Sequence, residues 1–291
     1  MYASTSAGRV RLAARADTRS LSGIADQRLI DLYTAIYQAG GDFAAIREQL
    51  IALDVTGGTG DEYVIPQTTP VFHQNGYAAC LPCAWCDTLE TLRGLTDPGH
   101  NTELSRNFLY WQCRVLQGDT ELDEGTEPQI AGYALLHGGV SAAEVCTYGV
   151  DMFVSPDLEC FTIARDNRLS GLFRIEGTPA DVVADVAIAV RSNHPVVLTT
   201  AVDQAFCDYT GGGQVWGPPP GRTLGRHGMS CHGVRERAGW VEYLLRNQWG
   251  PGWGDAGYCW VSEQYMGWGE TRDLWVGTKM PGLRLGTRTP R

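Results

Sequence analysis

Between residues 22 and 54 the apolar positions recur every three to four residues. Leu29, Leu32, Tyr33, Ile36 and Tyr37 form one run, and Phe43, Ile46, Leu50 and Leu53 form the next. That period predicts two short amphipathic helices, the first stopped by Gly40-Gly41 and the second capped by Asp42. The stretch Thr56-Gly-Gly-Thr-Gly-Asp61 carries no such period and reads as a linker. A longer helix is predicted from Cys80 to Gly94, with Pro82 in its first turn. Trp85, Leu89 and Leu92 make its apolar stripe, and Asp87, Glu90 and Arg93 its polar faces. Helical spacing returns over 103–117, 127–138 and 179–192. The pattern then shortens to that of strands, at Pro195–Val202, 240–249 and 257–262, in a region where Gly, Trp and Pro dominate. Helices first and strands later predict an α+β chain of two lobes. The Gly/Pro/Arg-rich end, 279–291, reads as a flexible basic tail.

Composition narrows the possibilities. A chain of 291 residues can bury one large core or two modest lobes, and 19% charged with 43% hydrophobic residues is an ordinary globular balance. A formal charge of −10 argues against a nucleic-acid partner, because phosphate binding relies on Lys and Arg. No apolar run reaches the roughly 18 residues that a bilayer span needs, so no membrane partner is expected. The first twenty residues carry Arg9, Arg11, Arg15 and Arg19 without the apolar stretch of a secretory signal, and read as a disordered basic arm. Nine cysteines leave at least one unpaired in a monomer, which favours a reducing compartment and a cytoplasmic location.

The candidate chemistry lies in four residues in chain order. Gln74 precedes Cys80 by six positions in His-Gln-Asn-Gly-Tyr-Ala-Ala-Cys, and His232 and then Asn247 follow far downstream. A cysteine-nucleophile hydrolase needs these types: a thiolate, an imidazole as base and acid, an amide to orient the imidazole, and a donor for the oxyanion. At the start of a helix, Cys80 would have the dipole and unpaired backbone N–H groups to stabilise its thiolate. Cys83 and Cys86 share the same run, Cys80-Leu-Pro-Cys83-Ala-Trp-Cys86, and read as buried hydrophobes once Cys80 is chosen. The run also raises zinc or iron–sulfur binding, with Cys113 or His100 as a fourth ligand. No second close-spaced cluster supports that, so no metal is expected. Gly211-Gly-Gly213 with Pro218-Pro-Pro220 reads as a surface loop and lacks the lysine and helix start of a phosphate cradle.

From about Tyr63 to Met266 the chain resembles the papain family of cysteine peptidases. The most specific part is Asn-Gln-Trp-Gly-Pro-Gly-Trp-Gly-Asp-Ala-Gly-Tyr (247–258). It follows the family's Asn-Ser-Trp-Gly-x-Gly-Trp-Gly-x-x-Gly-Tyr pattern with Gln248 in place of Ser. The resemblance implies a two-lobe fold, a helical lobe followed by a β-barrel-like lobe, with the active-site cleft between them. It implies Cys80 as nucleophile, Gln74 in the oxyanion hole and Asn247 as orienter, with Glu90 at an acidic position of the helix. Placing Cys83 on the nucleophile instead would leave Tyr77 where the Gln should be. Two histidines compete for the base. His232-Gly-Val resembles the family's His-Ala-Val, and its fifteen-residue distance from Asn247 fits the family spacing, against twenty for His227. His232 is therefore the expected base.

Further expectations follow from the resemblance. Gly125 and Thr126, in Asp123-Glu-Gly-Thr-Glu-Pro128, stand where the family has its Gly-Gly-x-Pro substrate-binding turn, with Thr126 replacing a Gly. Trp249 would shield the His–Asn pair at the substrate site. Tyr77 occupies the family's usual disulfide position, so that bridge does not carry over. Residues 1–60 are expected as an arm and helical hairpin, either a propiece or a hairpin packed permanently on the domain, and 61–278 as the peptidase domain. The expected function is cleavage of peptide or protein substrates at amide bonds without metal or organic cofactor. Two rivals stay open: transfer to an amine instead of water, and an inactive binding protein on a peptidase scaffold.

Overall fold

The computed structural model describes residues 2–5, 8–11, 27–53, 61–67, 69–97, 102–149 and 151–279. The expected linker, apart from Asp61, and the expected tail, apart from Lys279, lie outside them. Where the sequence predicts a disordered arm, β1 (Tyr2–Thr5) and β2 (Gly8–Arg11) pair antiparallel, with Thr5 opposite Gly8 across a two-residue connection. The predicted helical pair follows as α1 (Gln27–Gln38) and α2 (Ala44–Ala52), separated by the short strand β3 (Gly41–Asp42). Asp42 Oδ1 accepts the Ala44 N–H at 2.9 Å, so it tethers the start of α2 as its position suggests.

After β4 (Glu62–Val64) the chain builds the helical lobe from α3 (Cys80–Thr96), α4 (Arg106–Gln117), α5 (Pro128–His137) and α6 (Leu158–Ala164). The boundaries have local causes. Ser105 caps α4 by accepting the Phe108 N–H, and Gly118 ends it at φ 73°, a left-handed conformation that glycine adopts without strain. Pro128 occupies the first turn of α5.

The remaining chain forms the sheet lobe. Its elements are β5 (Gly171–Ile175), α7 (Pro179–Arg191), β6 (Val196–Val202), α8 (Gln204–Cys207), β7 (Val215–Trp216), β8 (Gly225–Arg237), β9 (Trp240–Arg246), β10 (Tyr258–Ser262), α9 (Glu263–Met266) and β11 (Arg272–Thr278). The strand order is β3-β5-β11-β6-β8-β9-β10-β7, with β4 added against β8. The sheet is therefore open, and the expected barrel-like closure does not form. Its two ends are the two-residue strands β3 and β7, which do not pair with one another. The α+β, two-lobe arrangement stands as expected.

Apolar side chains collect in two clusters, one per lobe. Side chains alternate across a strand, so β6 serves both. Val196, Leu198 and Val202 join the sheet-lobe core, and Val197 joins Trp85, Leu172 and Trp275 in the helical-lobe core. Helix α3 lies across β8, β6 and β11. Its first turn comes so close to β8 that a Cβ on Gly228 would sit 2.6 Å from Leu81, so only glycine fits there without movement. Among the described residues no helix is long and apolar enough to cross a membrane.

The α2 hairpin is built into the sheet lobe. β3 runs parallel to β5, and Phe43, Ile46 and Leu50 are buried in the same cluster as Val186 and Ala189 of α7. Deleting a large buried side chain leaves a cavity as well as losing its transfer free energy. Phe43→Ala is expected to lower the unfolding free energy by about 3–5 kcal/mol in urea denaturation. A loss under about 1 kcal/mol would mean that the hairpin is only loosely attached.

Candidate active site

Cys80 is the first residue of α3, preceded by Ala79, whose side chain offers no cap. The backbone N–H groups of this turn point toward the Cys80 end of the helix. Cys80 Sγ lies 3.5 Å from where Gly228 of β8 would carry a Cβ, which puts the thiol at the junction of the lobes. Cys83 and Cys86 are fully buried in the helical lobe, and burial raises both thiol pKa values well above normal. None of the nine cysteines is in a disulfide. Among the described residues no group of three or more His, Cys, Asp or Glu is arranged to hold a metal ion.

Gln74 reaches the same place by backbone pairing. His73 bridges Trp249, Gln74 N–H donates to the Gln248 carbonyl at 2.8 Å, and Gly250 N–H donates to the Phe72 carbonyl at 3.0 Å. This short ladder sets Gln74 beside Asn247 and its neighbours. The Gln74 side chain is fully buried and donates one amide hydrogen bond to the Tyr77 carbonyl at 2.8 Å.

Asn247 does not meet His232. Its Oδ1 lies 2.7 Å from Nε2 of His227, the histidine that the spacing argument set aside. The same Oδ1 accepts the Gln248 backbone N–H at 2.7 Å, which identifies it as the acceptor and makes His227 Nε2 the donor. The neutral His227 ring, favoured by its burial, therefore carries its proton on Nε2, and Nδ1 keeps its lone pair. That Nδ1 is buried and has no hydrogen-bond partner among the described residues. The ring stacks on Trp249 at 4.4 Å and 28°. Burial pushes the His227 pKa down to about 4, against a smaller opposing effect of the Asn247 hydrogen bond.

His232 has both ring nitrogens engaged elsewhere. Gln67 Nε2 sits 3.0 Å from Nδ1, and the Gln67 Oε1 accepts from Arg246 at 2.6 Å, which fixes the amide orientation and makes Nδ1 an acceptor. Nε2 therefore carries the proton and donates to Ser230 Oγ at 2.9 Å. The backbone explains why His227 and not His232 meets Asn247. The β8–β9 hairpin turns at Ala238-Gly239, both with positive φ, and pairs Gly233 with Leu244 but Cys231 with Leu245. His232 is the extra residue of the resulting β-bulge. The five residues from His227 to His232 thus span a register shift, and a count along the chain cannot see it.

A buried charge cluster holds the two lobes in register. Arg106 of α4 pairs with Asp87 at 2.7 Å and Glu90 at 2.6 Å, both on α3. Arg246, next to Asn247, reaches across to Asp87 at 3.3 Å and donates to the Pro70 carbonyl at 2.6 Å. Burial raises the Asp87 pKa, opposed by Arg246 and Arg106. Arg246, Gln67 and Asp87 escaped the sequence reading as site residues. The signal for Arg246 and Asp87 was position, one residue before Asn247 and seven after Cys80, and Gln67 had none.

The expected substrate residues have these surroundings. Gly125 N–H donates to Tyr110 Oη at 3.0 Å and its carbonyl accepts from Gln117 at 3.2 Å, so both of its backbone groups are engaged within the lobe. Thr126 is 1% exposed. Trp249 is fully buried among His227, Phe206 and Trp253, a wall behind the His–Asn pair. Tyr148 donates to the Gln74 carbonyl at 2.8 Å and packs edge-on against Phe72 and Tyr77.

A comparison with curated protein sequences finds no match. The family model described as papain family cysteine protease matches residues 66–272. Among solved structures, the fold is similar to xylellain, a cysteine protease from Xylella fastidiosa, at TM-score 0.69 and 18% identity over 80% of this chain and 89% of that one. It is also similar to digestive procathepsin L 3 of Tenebrio molitor larval midgut, at TM-score 0.62 and 16% identity over 92% and 84%. Bromelain from Ananas comosus, in complex with the E64 inhibitor, aligns at TM-score 0.60 and 19% identity over 76% and 100%. With the family model spanning both lobes and the junction between them, the chain belongs to the papain family of cysteine proteases.

Proposed function

We propose that the protein cleaves peptide amide bonds with Cys80 as nucleophile, His227 as base and acid, and Asn247 as the group that orients the imidazole. One observation carries this assignment: Asn247 fixes the His227 tautomer with the Nδ1 lone pair unengaged, beside the strand residue that abuts the Cys80 thiol. His232, with both nitrogens occupied, has no lone pair to offer. In the attack, Nδ1 takes the thiol proton and the thiolate adds to the carbonyl carbon. The resulting imidazolium keeps its Nε2 hydrogen bond to Asn247 and then gives the Nδ1 proton to the leaving amine. Water, deprotonated by the same nitrogen, hydrolyses the thioester. The Cys80 backbone N–H at the start of α3 and the Gln74 carboxamide supply the oxyanion donors. Trp249 keeps water from the His227–Asn247 bond. Residues 27–53 stay with the catalytic domain, anchored by Phe43, Ile46 and Leu50 in its core.

Replacing the nucleophile tests the assignment. Cys80→Ala is expected to lower peptide hydrolysis by at least about 10⁴-fold with an unchanged melting temperature. Hydrolysis at the native rate would end the proposal. Product masses with and without an added amine separate hydrolysis from transfer: water alone should appear in the products.

The protonation of His227 gives a second test. In the unfolded chain a histidine titrates near pH 6.5, and in the fold His227 titrates at about 4. Between these values the unfolded state binds a proton that the folded state rejects. The stabilisation is thus fully present above about pH 6.5 and is lost as pH falls toward 4. Unfolding free energy is expected to fall by about 3 kcal/mol more in the native protein than in His227→Asn over that range. Parallel pH profiles for the two proteins would show that His227 is not held neutral.

A further inference from the structure

Cys146 and Cys160 take no part in the proteolytic chemistry, and their proximity is independent of the role of Cys80. Cys146 lies just beyond the bridge between Leu104 and Ala142. Its N–H donates to the Ala142 carbonyl at 3.1 Å, and its own carbonyl accepts from Ser105 Oγ at 2.5 Å. Cys160 stands in the first turn of α6, its N–H donating to the Asp157 carbonyl at 3.0 Å. The Cys160 Sγ lies 4.0 Å from the Val145 carbonyl oxygen, against the peptide that leads into Cys146, so α6 sets its thiol at the residue next to Cys146. Both residues are close to the surface of the helical lobe's apolar cluster, Cys146 at 8% exposure and Cys160 at 3%. Between them in sequence, two residues past Cys146, comes Tyr148, whose hydroxyl holds the Gln74 carbonyl.

We propose that Cys146 and Cys160 are a reversible dithiol–disulfide clasp, which ties α6 to the segment carrying Tyr148 and is closed by a low-molecular-weight disulfide such as oxidised glutathione. The Cys146 thiolate, the more exposed, attacks one sulfur of the small disulfide and displaces a thiol, leaving a mixed disulfide. The Cys160 thiolate then attacks the Cys146 sulfur and displaces the second thiol. In total the two protein thiols give up two electrons and two protons, and the small disulfide takes up both as two thiols. Reduction by excess dithiol reverses the exchange. Burial lifts the Cys146 thiol to about 11, with Cys160 and Asp157 adding to the effect and Ser105 opposing it, so exchange is slow at neutral pH. A closed loop of this length restricts the unfolded chain enough to raise the melting temperature by about 5–10 °C.

The experiment equilibrates the native chain with oxidised glutathione at pH 8.5, blocks remaining thiols with N-ethylmaleimide and digests without reduction. A protease cutting before aspartate suits the sequence, because Asp151 and Asp157 separate the two cysteines. The clasp joins peptides 123–150 and 157–165 through one disulfide, raises the melting temperature, and both effects vanish with excess dithiol. Cys160→Ser and, separately, Cys146→Ser lose the cross-link and the oxidative gain in melting temperature. Separate peptides bearing maleimide or glutathione, a cross-link of either cysteine to a third one, or a joined pair that melts at the reduced temperature would each overturn the proposal.

Discussion

Four buried ions join the helix that carries Cys80 to the strand end that carries Asn247. Asp87 and Glu90 on α3, Arg106 on α4 and Arg246 on β9 are each almost wholly removed from water. An isolated ion there would cost several kcal/mol. Two carboxylates and two guanidiniums offset one another, and carbonyls from Leu104, Thr69 and Pro70 take up further N–H groups. The cluster tolerates one arrangement of the two lobes, since sliding α3 past β9 would leave a charge without its partner. Breaking one member of such a cluster typically costs about 3–5 kcal/mol, so it fixes relative position as much as it stabilises. The thiol at one end of α3 and the amide after Arg246 inherit that precision.

The choice between the two histidines follows from the same strands. Arg246 holds Gln67, Gln67 holds Nδ1 of His232, and Ser230 closes the other side of the ring. His232 thereby extends the structural network that begins at Asp87. The β-bulge that turns it there lets His227, earlier on β8, meet Asn247. One ring has both nitrogens engaged in the fold, and the other keeps Nδ1 without a hydrogen-bond partner, as the proposed base requires.

Much of this was legible in the chain. The Cys80 helix, the helices of the helical lobe at 106–117 and 128–137, α7, β6 and the β9–β10 pair lie where periodicity puts them, and Gln74 lies beside the Asn247 segment as the family resemblance implies. β8 escapes the pattern because it lies mid-sheet beneath α3, buried along most of its length. A strand covered on both faces shows no alternation, and its Gly225, Gly228 and Gly233 read as loop. β5, which is similarly buried, escapes it for the same reason. The buried ions were illegible in a different way. Periodicity puts Asp87 and Glu90 on polar faces, and only the arrival of Arg106 and Arg246 from distant segments makes those faces interior. The register shift at His232 has no composition of its own, and this is why spacing favours the wrong ring for pairing with Asn247.

The central claim is that His227, and not His232, activates Cys80. The most direct measurement is the second-order rate at which a peptidyl epoxide alkylates Cys80 in His227→Asn and in His232→Asn, each normalised to folded protein by circular dichroism. The account predicts a loss of at least about 100-fold for His227→Asn and a change within about 10-fold for His232→Asn. The opposite order, with His227→Asn still reacting at the native rate, would contradict it.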